Sequence, residues 1–229
     1  MLSLRVDVVS DIVCPWCYIG SKRLKELLTS DVASTFANRI QVIWHPYRLM
    51  PGNFTPLKKS QFYQERFGGS DRFKKMSAHV QHEGESCEIQ FNFGEDAMLG
   101  PTTDAHRLLE WVPVEKQQVL VDKLFSAYHE KGQLISDHDL LANYAAETGL
   151  DKSDVIKFLK SDEGKDTLEE KLQSSPQRYN MVGGVPHFVF TITGGLQEVK
   201  TIVSGGQPSD YFRIVLDRAI KKASQTPSI

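Results

Sequence analysis

The sequence predicts an α/β protein in which a βαβ unit opens the chain, a ββα unit closes it and an all-helical insertion lies between them. Three observations predict this. Two apolar, β-branched runs flank a stretch of helical period within the first 50 residues. Two further strand-like runs joined by Gly194-Gly195 precede a last amphipathic stretch. Helical spacing with few breakers fills most of residues 48–180. Residues 1–47 and 181–229 make a complete small α/β layer together, so the 48–180 block reads as an insertion. An insertion of that length is tolerable because loop-closure entropy rises only logarithmically with length.

Leu4 to Val9 alternates apolar and polar before closing on two valines, as a short and largely buried strand does. After Cys14-Pro15-Trp16-Cys17, residues Tyr18, Ile19, Leu24, Leu27 and Leu28 recur at helical spacing. Ile40 to Trp44 is the second strand, and two strands flanking one helix imply a parallel pair. The region from Met50 to Gly100 has less pattern; Gly68-Gly69 and Asn92-Phe93-Gly94 read as loops. Val119 to Tyr128 and Thr167 to Leu172 read as helices, as does the Leu140–Ala145 face that stops at Gly149. Asp151-Lys152-Ser153-Asp154 starts another. Val185 to Ile192 and Val199 to Val203 form the closing hairpin. The last helix follows, with Ser209 or Asp210 as its expected cap, and the polar tail from Ser224 is expected to fray.

Composition narrows the function classes. The 229 residues carry 27 basic against 29 acidic side chains, which leaves no footprint for sequence-independent nucleic-acid binding. No apolar run reaches the roughly 18 residues of a membrane span. Met1 to Asp7 lack the basic start and apolar middle of a secretory signal, so a soluble cytoplasmic protein is expected. Three cysteines cannot build a disulfide scaffold.

Chemistry concentrates at Cys14-Pro15-Trp16-Cys17. Two cysteines three positions apart at a helix start share one side of a turn and can bridge. The helix N-terminus offers unpaired amides and a partial positive charge, which favours a thiolate over a thiol. Cys14, at the end of the dipole and nearer solvent, is expected to attack a disulfide, and Cys17, one turn in, to resolve the mixed disulfide. Such exchange needs no metal and no organic cofactor. Two other readings stand beside it. The pair is half of a zinc site if His79, His82 and Cys87 supply further ligands. It is a packing feature if both thiols serve as small hydrophobes.

A second feature bears on the choice. Gly183-Gly184-Val185-Pro186 directly precedes a strand, and a proline there either starts an edge strand in trans or makes a cis bond beside Cys14. In the cis reading the loop presents backbone groups to an extended substrate. A βαβ unit with CxxC, a distant Val-Pro and a ββα unit together have the layout of the thioredoxin fold.

The segment from Ser10 to Gly20, SDIVCPWCYIG, resembles the opening of DsbA-like thioredoxin-domain proteins of the FrnE type. Trp44 to Leu49, Asp104-Ala105-His106-Arg107-Leu108, Gly184-Val185-Pro186 and Ser204 to Pro208 are similar to later parts of that family, in its order. The resemblance implies a thioredoxin fold with an all-helical insertion and protein disulfide oxidoreductase or isomerase activity. It implies Cys14 and Cys17 as the redox pair and Pro186 as a cis-proline. The family is related to kappa-class glutathione transferases and 2-hydroxychromene-2-carboxylate isomerases, which generally carry serine where the reactive thiol stands here. Where the family often has an asparagine before the threonine of the insertion helix, this chain has Pro101 before Thr102.

The site residues expected from this reading are Cys14 and Cys17 for catalysis, with Pro15, Trp16, Val185, Pro186 and His106 for substrate binding; no metal is assigned. His106 either donates a hydrogen bond into the cleft or is buried between helices. His187 lies near the redox centre or packs elsewhere, and Trp16 is expected half exposed. Phe62, Phe67, Phe91 and Phe93 read as packing, and Lys58-Lys59 and Lys221-Lys222 as solvated helix faces. Expected partners are client proteins or small thiols and disulfides, with no nucleic acid or membrane, and glutathione is a candidate reductant or co-substrate. The rival function is a glutathione-dependent transferase or isomerase acting on a small aromatic molecule.

Overall fold

The computed structural model describes residues 1–226. Strand β1 (Ser3–Ser10), helix α1 (Pro15–Leu28), the single turn α2 (Asp31–Ser34) and strand β2 (Ile40–Pro46) form the first unit. The insertion runs through β3 (Leu57–Lys58), α3 (Lys59–Phe67), α4 (Ser70–Glu85), β4 (Met98–Leu99), α5 (Thr103–Trp111), α6 (Val114–His129), α7 (His138–Ala146), α8 (Lys152–Lys160) and α9 (Lys165–Arg178). Strands β5 (His187–Thr193) and β6 (Val199–Ser204) and helix α10 (Ser209–Ala223) close the chain.

The main sheet has the order β2-β1-β5-β6. β1 pairs parallel with β2, Val8 opposite Trp44, and antiparallel with β5, Val8 opposite Phe188. A central strand is buried on both faces, which is why β1 carries Val6, Val8 and Val9, each fully inaccessible. The parallel step requires the α1 crossover, and the β5–β6 step requires only a tight turn. That turn holds Gly194 at φ 81°, a left-handed conformation that glycine adopts without steric cost. α1 packs against α10, α10 against β5 and β6, and α5, α6 and α9 of the insertion against β2. The insertion therefore sits on the sheet as part of one apolar core. Val6, Tyr18, Trp44, Leu124 and Phe188 belong to the same buried cluster.

The unpatterned stretch from Met50 to Gly100 holds two helices, α3 and α4, parted at Gly68 (φ 74°), and a short ribbon in which Leu57 pairs with Leu99. Asp151 caps α8 through the amides of Ser153 and Asp154. At α10 the capping position belongs to Pro208 rather than to Ser209 or Asp210. The proline ring already holds the extended backbone (φ −56°, ψ 150°) that a cap adopts. Of the tail expected to fray, the last three residues lie outside the described residues. Among the described residues no helix is long and apolar enough to cross a membrane.

Candidate active site

Cys14 is the N-cap residue of α1, with extended backbone (φ −85°, ψ 116°), and Pro15 takes the first helical position, where its missing N–H costs no hydrogen bond. The amides of Cys17 and Tyr18 donate to the Cys14 carbonyl at 3.1 and 3.3 Å, so the motif forms the first turn. Both cysteines are free thiols, and both are buried: Cys14 is 5% exposed and Cys17 1%. The margin by which Cys14 is nearer solvent is thus small. Its Sγ is turned to the Val185 carbonyl, to which it donates at 3.8 Å.

The Val185–Pro186 bond is cis. The Pro186 carbonyl accepts from the Gly205 amide at 2.8 Å, which ties the bend to the segment after β6. α1 reaches this bend because Gly20 has no side chain. A Cβ there would stand 2.9 Å from Phe188 Cζ and 3.1 Å from Pro186 Cγ. Pro15, Trp16 and Val185 are half-buried, Gly183 and Gly184 just before the bend are exposed, and the Trp16 ring lies 5.4 Å from that of His79.

The two sulfurs have different surroundings. Burial raises the Cys17 thiol well above its ordinary pKa, and its hydrogen bond with Cys14 and the charge of Cys14 raise it further. The Ser10 hydroxyl and the Asp11 backbone act the other way and do not offset that. Cys17 therefore holds its proton until something removes it.

The loop between β1 and α1 is fixed from below by Asp11, His106 and His129, of which only His106 stands out in the sequence. Asp11 is fully buried; one carboxylate oxygen accepts from the Leu49 amide at 2.7 Å, and the other lies 3.2 Å from His106 Nε2. His106 is thus a buried residue, 3% exposed, that reaches the loop through Asp11 and not through the cleft. His129, at the end of α6, donates from Nε2 to the Ile12 carbonyl at 2.9 Å. Burial, reinforced by the charge of Lys59, holds its pKa well below the ordinary histidine value, and its bonds to the Ile12 and Cys14 backbone only partly offset this. One signal for His129 was present: it continues the Val121–Phe125 row at intervals of four, a helical face already apolar.

Lys59 departs from its expected solvated position. The residue is 1% exposed, and Nζ donates to the Tyr128 carbonyl at 2.7 Å and lies 3.8 Å from the centre of the Tyr128 ring. The reason is its place at the junction of β3 and α3, where the Lys59 amide also donates to the Ala97 carbonyl of the adjoining loop and draws the residue inward. Burial lowers its pKa to about 7 and raises that of neighbouring Tyr63 to about 12. Lys58, Lys221 and Lys222 are exposed as expected. Phe91 and Phe93 stack at 5.9 Å within a cluster with Tyr63 and Phe73.

His187 lies away from the sulfurs. It is 1% exposed, with Nδ1 3.0 Å from Ser204 Oγ and Nε2 2.9 Å from the Tyr179 carbonyl, and it fastens the end of α9 to the β5–β6 pair. His79 packs on Trp16, and His82, which lies 3.8 Å from Glu85, lines a surface pocket with Cys87. Among the described residues no three His, Cys, Asp or Glu side chains converge as metal ligands would.

Comparison with known proteins agrees with this architecture. The model of the DSBA-like thioredoxin domain matches residues 5–217. The uncharacterized protein YwbO of Bacillus subtilis is 22% identical over 226 residues, covering 96% of this chain and all of YwbO. Among solved structures, the probable DsbA oxidoreductase SCO1869 from Streptomyces coelicolor superposes with a TM-score of 0.79 at 23% identity, over 99% of this chain and 93% of that one. A 2-hydroxychromene-2-carboxylate isomerase superposes with a TM-score of 0.64 at 14% identity, over 98% of this chain and 100% of that one. At these identities the structural likeness is one of fold.

Proposed function

Since the chain belongs to the DSBA-like thioredoxin domain family, we propose that it is a thiol–disulfide oxidoreductase whose reactive dithiol is Cys14 with Cys17. The observation that carries this is the placement of Cys14 at the helix N-cap, its sulfur against the carbonyl of a cis Val185–Pro186 bend. Helix N-termini favour negative charge, and a sulfur there is well placed to attack. The Cys14 thiolate attacks a substrate disulfide, forming a mixed disulfide and releasing one substrate thiolate. Cys17 gives up its proton and attacks Cys14 Sγ, so that the Cys14–Cys17 disulfide forms and the second substrate thiolate leaves. Two electrons pass from the dithiol to the substrate. Run in reverse, the oxidised pair oxidises a client.

An extended client chain beside the bend would meet the half-buried Trp16 and the exposed backbone of Gly183-Gly184. Clients of this kind, or small disulfides, are the partners we assign. In a cytoplasmic setting, which we also propose, thiols are kept reduced and the reductase or isomerase direction prevails, with glutathione as a candidate reductant. The test is reduction of insulin by the reduced protein. Wild type is expected to turn over insulin disulfides and Cys14→Ser to lose turnover by more than about a hundredfold; equal activity of the two would reject the reading. A glutathione-dependent transferase or isomerase would instead keep its turnover in Cys17→Ser.

A further inference from the structure

Arg23, on α1, carries a guanidinium that is almost wholly out of water: the residue is 6% exposed. An arginine is rarely buried so far unless its donors are matched, and here they are matched by two separate elements. Nη1 donates to the Gly206 carbonyl at 2.6 Å, in the segment after β6. Nη2 donates to Glu83 on α4 at 2.8 Å and lies 3.4 Å from the hydroxyl of Ser86, which caps that helix. One planar fork therefore fastens α1 to α4 on one side and to the 205–206 segment on the other.

The same two elements flank Trp16. Arg23 lies about two turns beyond Trp16 on the same face of α1. On α4, His79 lies about one turn before Glu83, again on one face, and its ring is 5.4 Å from that of Trp16. On the other side stands Gly206. A Cβ there would be 3.2 Å from Trp16 Cε3 and 3.2 Å from the Trp16 carbonyl. The Trp16 ring is thus set between α4 and the 205–206 segment, and Arg23 ties those two together behind it. The neighbouring Gly205 amide donates to the Pro186 carbonyl at 2.8 Å, so this segment also carries the bend.

Resting on the dithiol reading, we infer that Arg23 is a positioning residue for protein clients: by holding α4 and the 205–206 segment at a fixed spacing, it keeps Trp16 where a client chain meets it. The hydrogen bonds of Arg23 go to neither sulfur. Its loss therefore weakens the binding of an extended client and leaves the attack by Cys14 as it was. A small reagent that reaches Cys14 without lying across Trp16 does not sense the change.

The experiment compares wild type, Arg23→Met, Trp16→Ala and the double variant, all in a Cys87→Ser background. Reduction of fluorescein-labelled insulin is followed with dithiothreitol as reductant, and alkylation of Cys14 by iodoacetamide is followed by mass spectrometry. Arg23→Met is expected to raise KM for insulin about fivefold or more with kcat changed less than about twofold. Alkylation of Cys14 should change less than about twofold. Because Arg23 acts through Trp16, adding Arg23→Met to Trp16→Ala should alter KM by less than about 1.5-fold. An unchanged KM in Arg23→Met, the same rise in KM with Trp16 removed, or a loss of kcat and alkylation rate together overturns the inference. Should Arg23→Met fail to fold, Glu83→Gln, which breaks only the arm to α4, is put through the same comparison and decides. A wild type that reduces no insulin would overturn the dithiol reading and this inference with it, whereas an active wild type with unaffected variants overturns the inference alone.

Discussion

Lys59 shows what one residue can do to the pH response of this protein. Its ammonium is out of water, held by the Tyr128 carbonyl and ring, and burial lowers its pKa from 10.5 to about 7. Between about pH 7 and 10.5 the unfolded chain keeps a proton on this lysine that the folded protein has lost, so stability rises with pH across that window. The cost of burying the charge is felt in full below pH 7. Urea unfolding at pH 7 and pH 9 is expected to show wild type gaining about 2 kcal/mol more than Lys59→Met over that interval. Equal pH slopes for the two proteins would show that Lys59 is not the group responsible. At the same scale, nothing in the local pattern separates Lys59 from its exposed neighbour Lys58, because two adjacent lysines look alike until the β3–α3 junction turns one of them inward.

At the scale of elements, the contact that matters most is α1 against the bend before β5. Gly20 brings helix backbone against Phe188 and Pro186, and a methyl group there meets both closer than a Cβ normally comes. Gly20→Ala should therefore press the Pro186 bend away from Cys14. Gly to Ala usually favours a helix by about 1 kcal/mol, but overpacking costs about 1–3 kcal/mol. The expected net result is a lower Tm together with slower insulin reduction. A raised Tm with unchanged activity would mean that the bend yields at no cost. The elements themselves were largely legible. β1, β2, β5 and β6 follow their β-branched runs to within two or three residues, and α8 starts at the Asp151 cap its sequence announces. The segment holding α3 and α4 was not, because α3 exposes polar side chains nearly all round and its apolar positions, Phe62 and Tyr63, pack mainly on other aromatics.

For the whole molecule, the site is an assembly of three distant stretches of chain: the loop 10–17, the bend at 185–186 and the inner faces of α5 and α6. The first two carry motifs that can be read residue by residue, and the structure brings Cys14 Sγ to the Val185 carbonyl as the cis reading of the bend expects. The third was legible only in part. His106 stood out in the sequence, but its partner is Asp11 and not the cleft, and His129 is an ordinary helix residue until tertiary packing turns it toward the loop. Local patterns record which face of a helix is buried; they do not record what that face meets.

The account depends most on the division of labour between the two sulfurs. Cys17→Ser, incubated with insulin or oxidised glutathione and digested without reductant, should yield by mass spectrometry a stable mixed disulfide on the peptide that contains Cys14. A mixed disulfide found on Cys87 alone, or none at all, would contradict it.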